Sequence, residues 1–427
     1  MIDMRPRQSV SGPAMIGVCL AALLVACAAG ASAETRMARL QGDQCVNCHR
    51  ELEMLPQGLS EDDVHLQPRL SCAGCHGGDA SATDEETAMS TAAGFVGVPS
   101  RSEIPGLCGR CHSNIDFMRQ FQPRIPTDQV EQYRTSVHGK RLLLGDNKVA
   151  DCTSCHSAHG ILPASDTRST VHALNVPNMC RKCHGDADYM KEYGIPTNQF
   201  ERFSRSVHGV ALLENQDTGA PACNDCHGNH GAMPPAVTSV TQVCGICHVN
   251  NMQYFSSSKM AQAWQREDYH GCEECHGNHD VAKTSDDMVG TGDKAVCVTC
   301  HSEGDEGFKA ARDIRSHLSK VVGAYESAEA KRVEVERRGI EDEETDFILK
   351  DVHQQIVQAR TLVHTFDPAR VGEKTEAAFA KAIEAERLLN AQVREFNTRR
   401  WGFGLATLFI SVLAVALYLK IRHIEGR

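Results

Sequence analysis

The chain has 427 residues, enough for two or three ordinary domains, yet aromatics are 5% and Trp only 2, too little apolar bulk to fill them. A net charge of -11 excludes a nucleic-acid partner, because phosphate binding needs a basic face. The 20 Cys and 21 His far exceed ordinary usage, and the regular Cys spacing excludes a disordered chain, so something other than side-chain packing must fill the interior.

The N-terminus reads as a secretory signal over residues 1–33. Arg5 and Arg7 give a positive start, Met15 to Ala26 is an apolar run too short to span a bilayer, and Ala31-Ser32-Ala33 is a small-residue cleavage site. The mature chain then starts at Glu34. A competing reading makes Leu24-Val25-Ala26-Cys27 a lipobox, with Cys27 lipid-modified. Cleavage after Ala33 is preferred because an anchor stands at the other end of the chain.

Apart from Cys19 and Cys27, every Cys falls in one pattern, Cys-x-x-Cys-His, which occurs nine times. The pairs are Cys45 and Cys48, Cys72 and Cys75, Cys108 and Cys111, Cys152 and Cys155, Cys180 and Cys183, Cys223 and Cys226, Cys244 and Cys247, Cys272 and Cys275, Cys297 and Cys300. The adjoining histidines are His49, His76, His112, His156, His184, His227, His248, His276 and His301. This is the attachment signature of c-type haem. The two thiols add across the porphyrin vinyl groups and the adjacent His reaches the iron as proximal ligand. Zinc ribbons do not require a His directly after each Cys pair, a thioredoxin-like site would be single, and disulfides would not keep this spacing. Nine covalent haems are expected, and they supply the missing core.

The motifs form an internal repeat. Cys108 to His112 and Cys180 to His184 both continue through Asp116-Phe117-Met118 or Asp188-Tyr189-Met190, then Ile125-Pro126-Thr127 or Ile195-Pro196-Thr197. They arrive at Ser136-Val137-His138-Gly139 or Ser206-Val207-His208-Gly209, and a second motif follows with a trailing x-x-His. The repeat starts at Cys45, Cys108, Cys180, Cys244 and Cys297. Its spacer histidines are His65, His138, His208, His270 and His317; its trailing histidines are His159, His230 and His279. All eight are candidate distal iron ligands. The first unit carries Asp79 at the trailing position, and the fifth lacks its second motif. For the ninth distal position His364, His172 and His353 remain, with His364 favoured. Met118 and Met190 are read as packing residues rather than ligands.

These features make the chain resemble periplasmic multihaem cytochromes c with doubled Cys-x-x-Cys-His motifs, found in anaerobic respiratory chains. The resemblance rests on the Ser-Val-His-Gly segments and the Cys-x-x-Cys-His-x-x-His pairs at Cys152, Cys223 and Cys272, and covers about residues 45 to 320. It implies bis-His haems in a close chain and electron transfer rather than bond chemistry. Asp79 departs from the pattern.

Beyond His301 Cys vanish, and Ala, Glu, Lys and Arg favour helix. Helices are predicted at about 308–338 and 342–365, then from Asp367-Pro368 to about 398, with continuation into the apolar span left open. Ile348, Val352, Ile356, Ala359 and Val363 form one apolar stripe, flanked by His353 and His364. Trp401 to Leu419 carries no charge over 19 positions and is predicted to span a membrane.

The predicted fold is therefore mainly α and irregular: a haem-cored multihaem cytochrome c of tandem two-haem units over 34–320, a helical stalk over 321–400, one transmembrane helix over 401–419 and a cytoplasmic tail over 420–427. The expected function is a membrane-anchored electron carrier, more than an enzyme, with its haem domain on the periplasmic side of the inner membrane. Its expected donor is an inner-membrane quinol-oxidising protein or cytochrome b; its acceptor is periplasmic or in the outer membrane. The alternatives are an oxidoreductase acting on a small nitrogen or sulfur oxyanion at one open haem, and a direct quinol dehydrogenase.

Overall fold

The computed structural model describes residues 42–66, 70–234, 240–267, 269 and 271–426. The signal segment, Cys27 and His270 lie outside these residues. The chain is mainly helical and irregular, and no β-sheet forms among the described residues. It divides into two compact units. The first runs to Tyr189 and takes in Ala222–Asn224 and Gly228–Met233; the second holds the remainder to the C-terminus.

Most attachment motifs lie in a short helix, as in Cys72–His76, Cys152–His156 and Cys223–His227, whereas the helix at Cys244 stops at Gly245 and Cys297 sits in a short 3-10 turn, Val296–Thr299. On a helix, residues three and four apart share a face, so both thiols and the imidazole point the same way. The caps are written into the sequence. Asp43 accepts a hydrogen bond from the Cys45 N–H at 2.9 Å, and Asp151 accepts from Thr153 and Ser154 in a capping box. Asp151 is itself held by Arg101 at 2.9 Å. Longer helices, Ile104–His112 and Val176–His184, carry Pro in their first turn, where its missing N–H costs nothing.

The second unit ends in three long helices: Glu306–Glu336, Glu343–Leu362 and Pro368–Glu425. The buried residues of the third include Val371, Thr375, Ala378, Ala382, Ala385 and Leu389, a seven-residue repeat of two positions, which is the coiled-coil seam. They pack on Ile314, Leu318, Val321 and Ala328 of the first and on Leu349, Val352, Ile356 and Ala359 of the second. The stripe read from the sequence is thus the core face of this bundle. Of the two outcomes the sequence left open, the third helix takes the second: it continues unbroken through the apolar span, whose residues are exposed. With Pro only at its start and Arg394, Arg399 and Arg400 leading into the span, nothing in the sequence interrupts the hydrogen-bond ladder.

Candidate haem sites

The histidines come together in pairs. In the first unit His65 faces His112 with ring centroids 6.0 Å apart, His76 faces His159 at 6.2 Å, His138 faces His184 at 6.1 Å and His156 faces His230 at 6.0 Å. In the second unit His208 faces His248 at 6.2 Å, His227 faces His279 at 5.9 Å and His276 faces His364 at 6.0 Å. Two rings stacked on each other would sit closer. An iron held by two imidazole nitrogens, each at roughly 2 Å, leaves ring centroids about 6 Å apart. Every pair joins one histidine of an attachment motif to one outside it.

The pairing has a fixed register. A spacer His faces the first motif of the following unit: His65 meets Cys108's motif, His138 meets Cys180's and His208 meets Cys244's. A trailing His faces the second motif of the preceding unit: His159 meets Cys72's motif, His230 meets Cys152's and His279 meets Cys223's. His364 occupies the corresponding place at the second motif of the fourth unit, Cys272, because the fifth unit has no second motif and hence no trailing His.

Local sequence aims these rings. In both Ser-Val-His-Gly segments the buried Ser donates to a carbonyl, Tyr133 or Phe203, at 2.6 Å and accepts from the Gly N–H at 2.9 Å. The Gly is required by close approach: a Cβ at Gly139 would lie 2.0 Å from the Tyr133 oxygen, and one at Gly209 1.9 Å from that of Phe203. After the second motif of each pair the chain turns through a left-handed residue, Gly77, Ser157, Gly228 or Gly277, which carries it toward the trailing position.

The ring nitrogens are prepared for a metal. His65 Nδ1 lies 3.2 Å from the Asp63 carboxylate, His76 Nδ1 2.8 Å from the Gly97 carbonyl, His301 Nδ1 3.1 Å from Asp305 and His364 Nδ1 3.0 Å from the Thr361 carbonyl. An acceptor at Nδ1 puts the proton there and leaves the Nε2 lone pair free, as ligating histidines require. Burial, and then the charge of the facing imidazole, hold His112, His138, His156, His159, His208, His276 and His279 below the ordinary imidazole range, so they are neutral near pH 7. The thiols divide: the hydrogen bond with Cys152 lowers Cys108 to about 7, while others rise. Burial, then the charge of Asp43, pushes Cys45 up to about 12, and burial raises Cys72, Cys75 and Cys155.

Neighbouring motifs also touch. In the first unit Cys45 lies beside Cys72, Cys75 beside Cys108 and Cys111, Cys108 against Cys152, Cys155 beside Cys183 and Cys180 against Cys223. In the second unit Cys244 lies against Cys272, and Cys275 beside Cys297 and Cys300. Within each unit, groups attached to these sulfurs would follow one another in sequence order. The residues fit haem c: paired thiols on one helix face, a neutral imidazole beside them and a second imidazole at the iron-spanning distance.

The other named histidines stand differently. His317 packs its ring on Gly372, where a Cβ would come within 3.0 Å. His353 is exposed on the helical bundle and faces Tyr325 with centroids 5.8 Å apart. His172 Nδ1 accepts a long hydrogen bond, 3.4 Å, from the Leu174 N–H. Asp79 is no ligand stand-in: its exposed carboxylate accepts from the Ser81 N–H and hydroxyl at 2.9 and 2.6 Å. Met118 and Met190 are buried. Sequence reasoning did not single out Asp63, Gly97, Asp305 and Thr361, the Nδ1 acceptors. The Asp63-x-His65 spacing, an acid two residues before a ligand candidate, is the one sequence signal among them.

No curated protein and no solved structure matches the chain. Residues 64–185, less than a third of its length, match the cytochrome c3 family. That segment holds the motifs of Cys72, Cys108, Cys152 and Cys180, and the His65–His112, His76–His159 and His138–His184 pairs fall wholly within it. The chain thus contains a cytochrome c3-type segment, which implies covalently attached haem c and multihaem electron transfer.

Proposed function

We propose that the protein is a nonahaem electron carrier, anchored to the inner membrane by Trp401–Leu419 with its haem domain on the periplasmic side. The observation that carries this reading is the set of seven facing imidazole pairs, at the spacing of a six-coordinate centre, that serve seven of the nine motifs. Bound haem c supplies an iron that changes valence without taking a substrate into its coordination sphere. The chain's own residues do the rest. Cys pairs would hold each group in place, the seven paired imidazoles would hold seven of the irons, and Asp63 and Asp305 keep the ring protons of His65 and His301 on Nδ1. A fully closed centre has no vacancy for a nitrogen or sulfur oxyanion, which favours a relay over an enzyme.

Two motifs, those of Cys45 and Cys297, stand outside the seven pairs. By the register of the repeat, His270 belongs to the Cys297 motif, and His317, which would serve a sixth unit, is left over. The Cys45 motif has no preceding unit to supply a spacer His; His172 is assigned to it. One observation favours a second reading here. The Leu174 N–H donating to His172 Nδ1 puts that ring's proton on Nε2, the wrong tautomer for a ligand. The Cys45 iron would then keep an exchangeable position, where a small oxyanion could be reduced.

The donor is proposed to be a quinol-oxidising inner-membrane protein or cytochrome b, and the acceptor a periplasmic or outer-membrane redox protein in anaerobic respiration. Each haem adds two propionates to a chain already at -11, so both partners should present basic docking faces and associate faster at low salt. The test is a spin-state count on intact protein with and without carbon monoxide. Low-spin iron throughout supports the carrier; a single high-spin iron lost in Cys45→Ser/Cys48→Ser supports the second reading.

A further inference from the structure

The three-helix bundle joins the haem sites of the second unit to the apolar span, and its dimensions restrict where electrons can be exchanged. Its haem end is fixed by His364, which faces His276, and by Asp367, which caps the third helix through the Ala369 N–H at 2.9 Å. The Cys297 motif is at the same end, because His301 presses on Gly307 in the first turn of the first long helix. From there the helices are tied rung by rung. Lys320 pairs with Glu376 at 2.9 Å, Asp351 with Lys381, Asp342 with Gln392, and Arg338 with Asn397 at 3.3 Å. The last rung lies one turn before Trp401, so the turn between the first two helices reaches the start of the span.

The third helix carries no proline after Pro368 and runs without interruption into the span. At about 1.5 Å per residue, the stretch from Pro368 to Trp401 rises about 50 Å. A tilt of about 20° shortens this height by only about 3 Å. Tunnelling falls off exponentially with distance, and a gap of this length stops it.

We propose, resting on the anchored-carrier reading, that the bundle is a standoff. It holds the haem sites of the second unit far outside the bilayer, so their redox partner is a protein-bound one-electron centre that stands away from the membrane, not a quinol dissolved in it. The step moves one electron from the partner's centre to a ferric iron, with no bond made or broken.

The test uses full-length, haem-loaded protein carrying a nitroxide at Arg400→Cys, with Thr398→Cys as a second site, in phosphatidylethanolamine/phosphatidylglycerol vesicles. Pulsed electron paramagnetic resonance should place the iron that is lost in Cys272→Ser/Cys275→Ser about 50 Å from the label, and a distance of about 25 Å or less, half the helical rise, overturns the proposal. In the same vesicles a membrane-dissolved naphthoquinol should leave the haem bands oxidised, while dithionite reduces them. Reduction by the naphthoquinol alone overturns the standoff. A protein with no haem bands after dithionite defeats the carrier reading instead, so the two failures are distinct.

Discussion

At the scale of single residues the chemistry lies in what stands behind each imidazole. Asp63 is buried, which pushes its carboxyl up, but hydrogen bonding to His65 outweighs this and holds it below the usual carboxylate range. It is therefore an anion at Nδ1 of a candidate ligand and makes that ligand a stronger donor to ferric iron. Asp63→Asn should raise the midpoint potential of the Cys108 haem. A change of about 1 kcal/mol in hydrogen-bond strength corresponds to roughly 40 mV for one electron, readable by potentiometric titration. An unshifted set of potentials would mean that His65 is not bound to iron. Gly209 permits a second test. Because a Cβ there meets the Phe203 carbonyl at 1.9 Å, Gly209→Ala should push His208 away from His248. The Cys244 haem would remain attached but become high-spin and bind carbon monoxide when reduced.

Whole elements follow the same logic. The one-turn attachment helices depend on their caps: Arg101→Ala would strip the partner from Asp151, whose side chain is 1% exposed. The loss should cost on the order of 1–2 kcal/mol and be visible as a lower melting temperature. In the bundle, Ala382 is fully buried at the helix seam, and Ala382→Leu should cost about 1–3 kcal/mol by overpacking. Asp342 ties the far turn to the third helix. Burial raises its carboxyl, but hydrogen bonds from Thr345 and Gln392 hold it below its ordinary value. Its contribution is therefore complete above about pH 4 and is lost as pH falls through the lowered value. Acid titration of helicity should show the bundle loosening below pH 4 in the wild type, and already at neutral pH in Asp342→Ala.

For the molecule as a whole, what the sequence carries and what it lacks divide along a physical line. The attachment motifs are legible because thioether chemistry requires two Cys and a His within five residues, and the stalk stripe because helical periodicity is local. Which ring faces which motif is not legible, since that depends on the path of the chain between motifs. Asp79 illustrates this. Read along the sequence it is a missing ligand; in the fold a trailing position serves the preceding unit, and the first unit has none. His364 belongs at the opposite boundary, where the fifth unit has lost its second motif and a residue from the stalk stands in the trailing place. Continuation of the third helix into the span was left open by the sequence, and the structure shows the helix unbroken.

The central claim is that every Cys-x-x-Cys-His motif carries a covalent haem. Intact mass spectrometry of the mature, haem-loaded chain tests it most directly. The mass should exceed that of the apo chain by nine haems, with no free thiol between Cys45 and Cys300. Eight or fewer haems in fully matured protein, or a reactive thiol pair at any of the nine motifs, would contradict it.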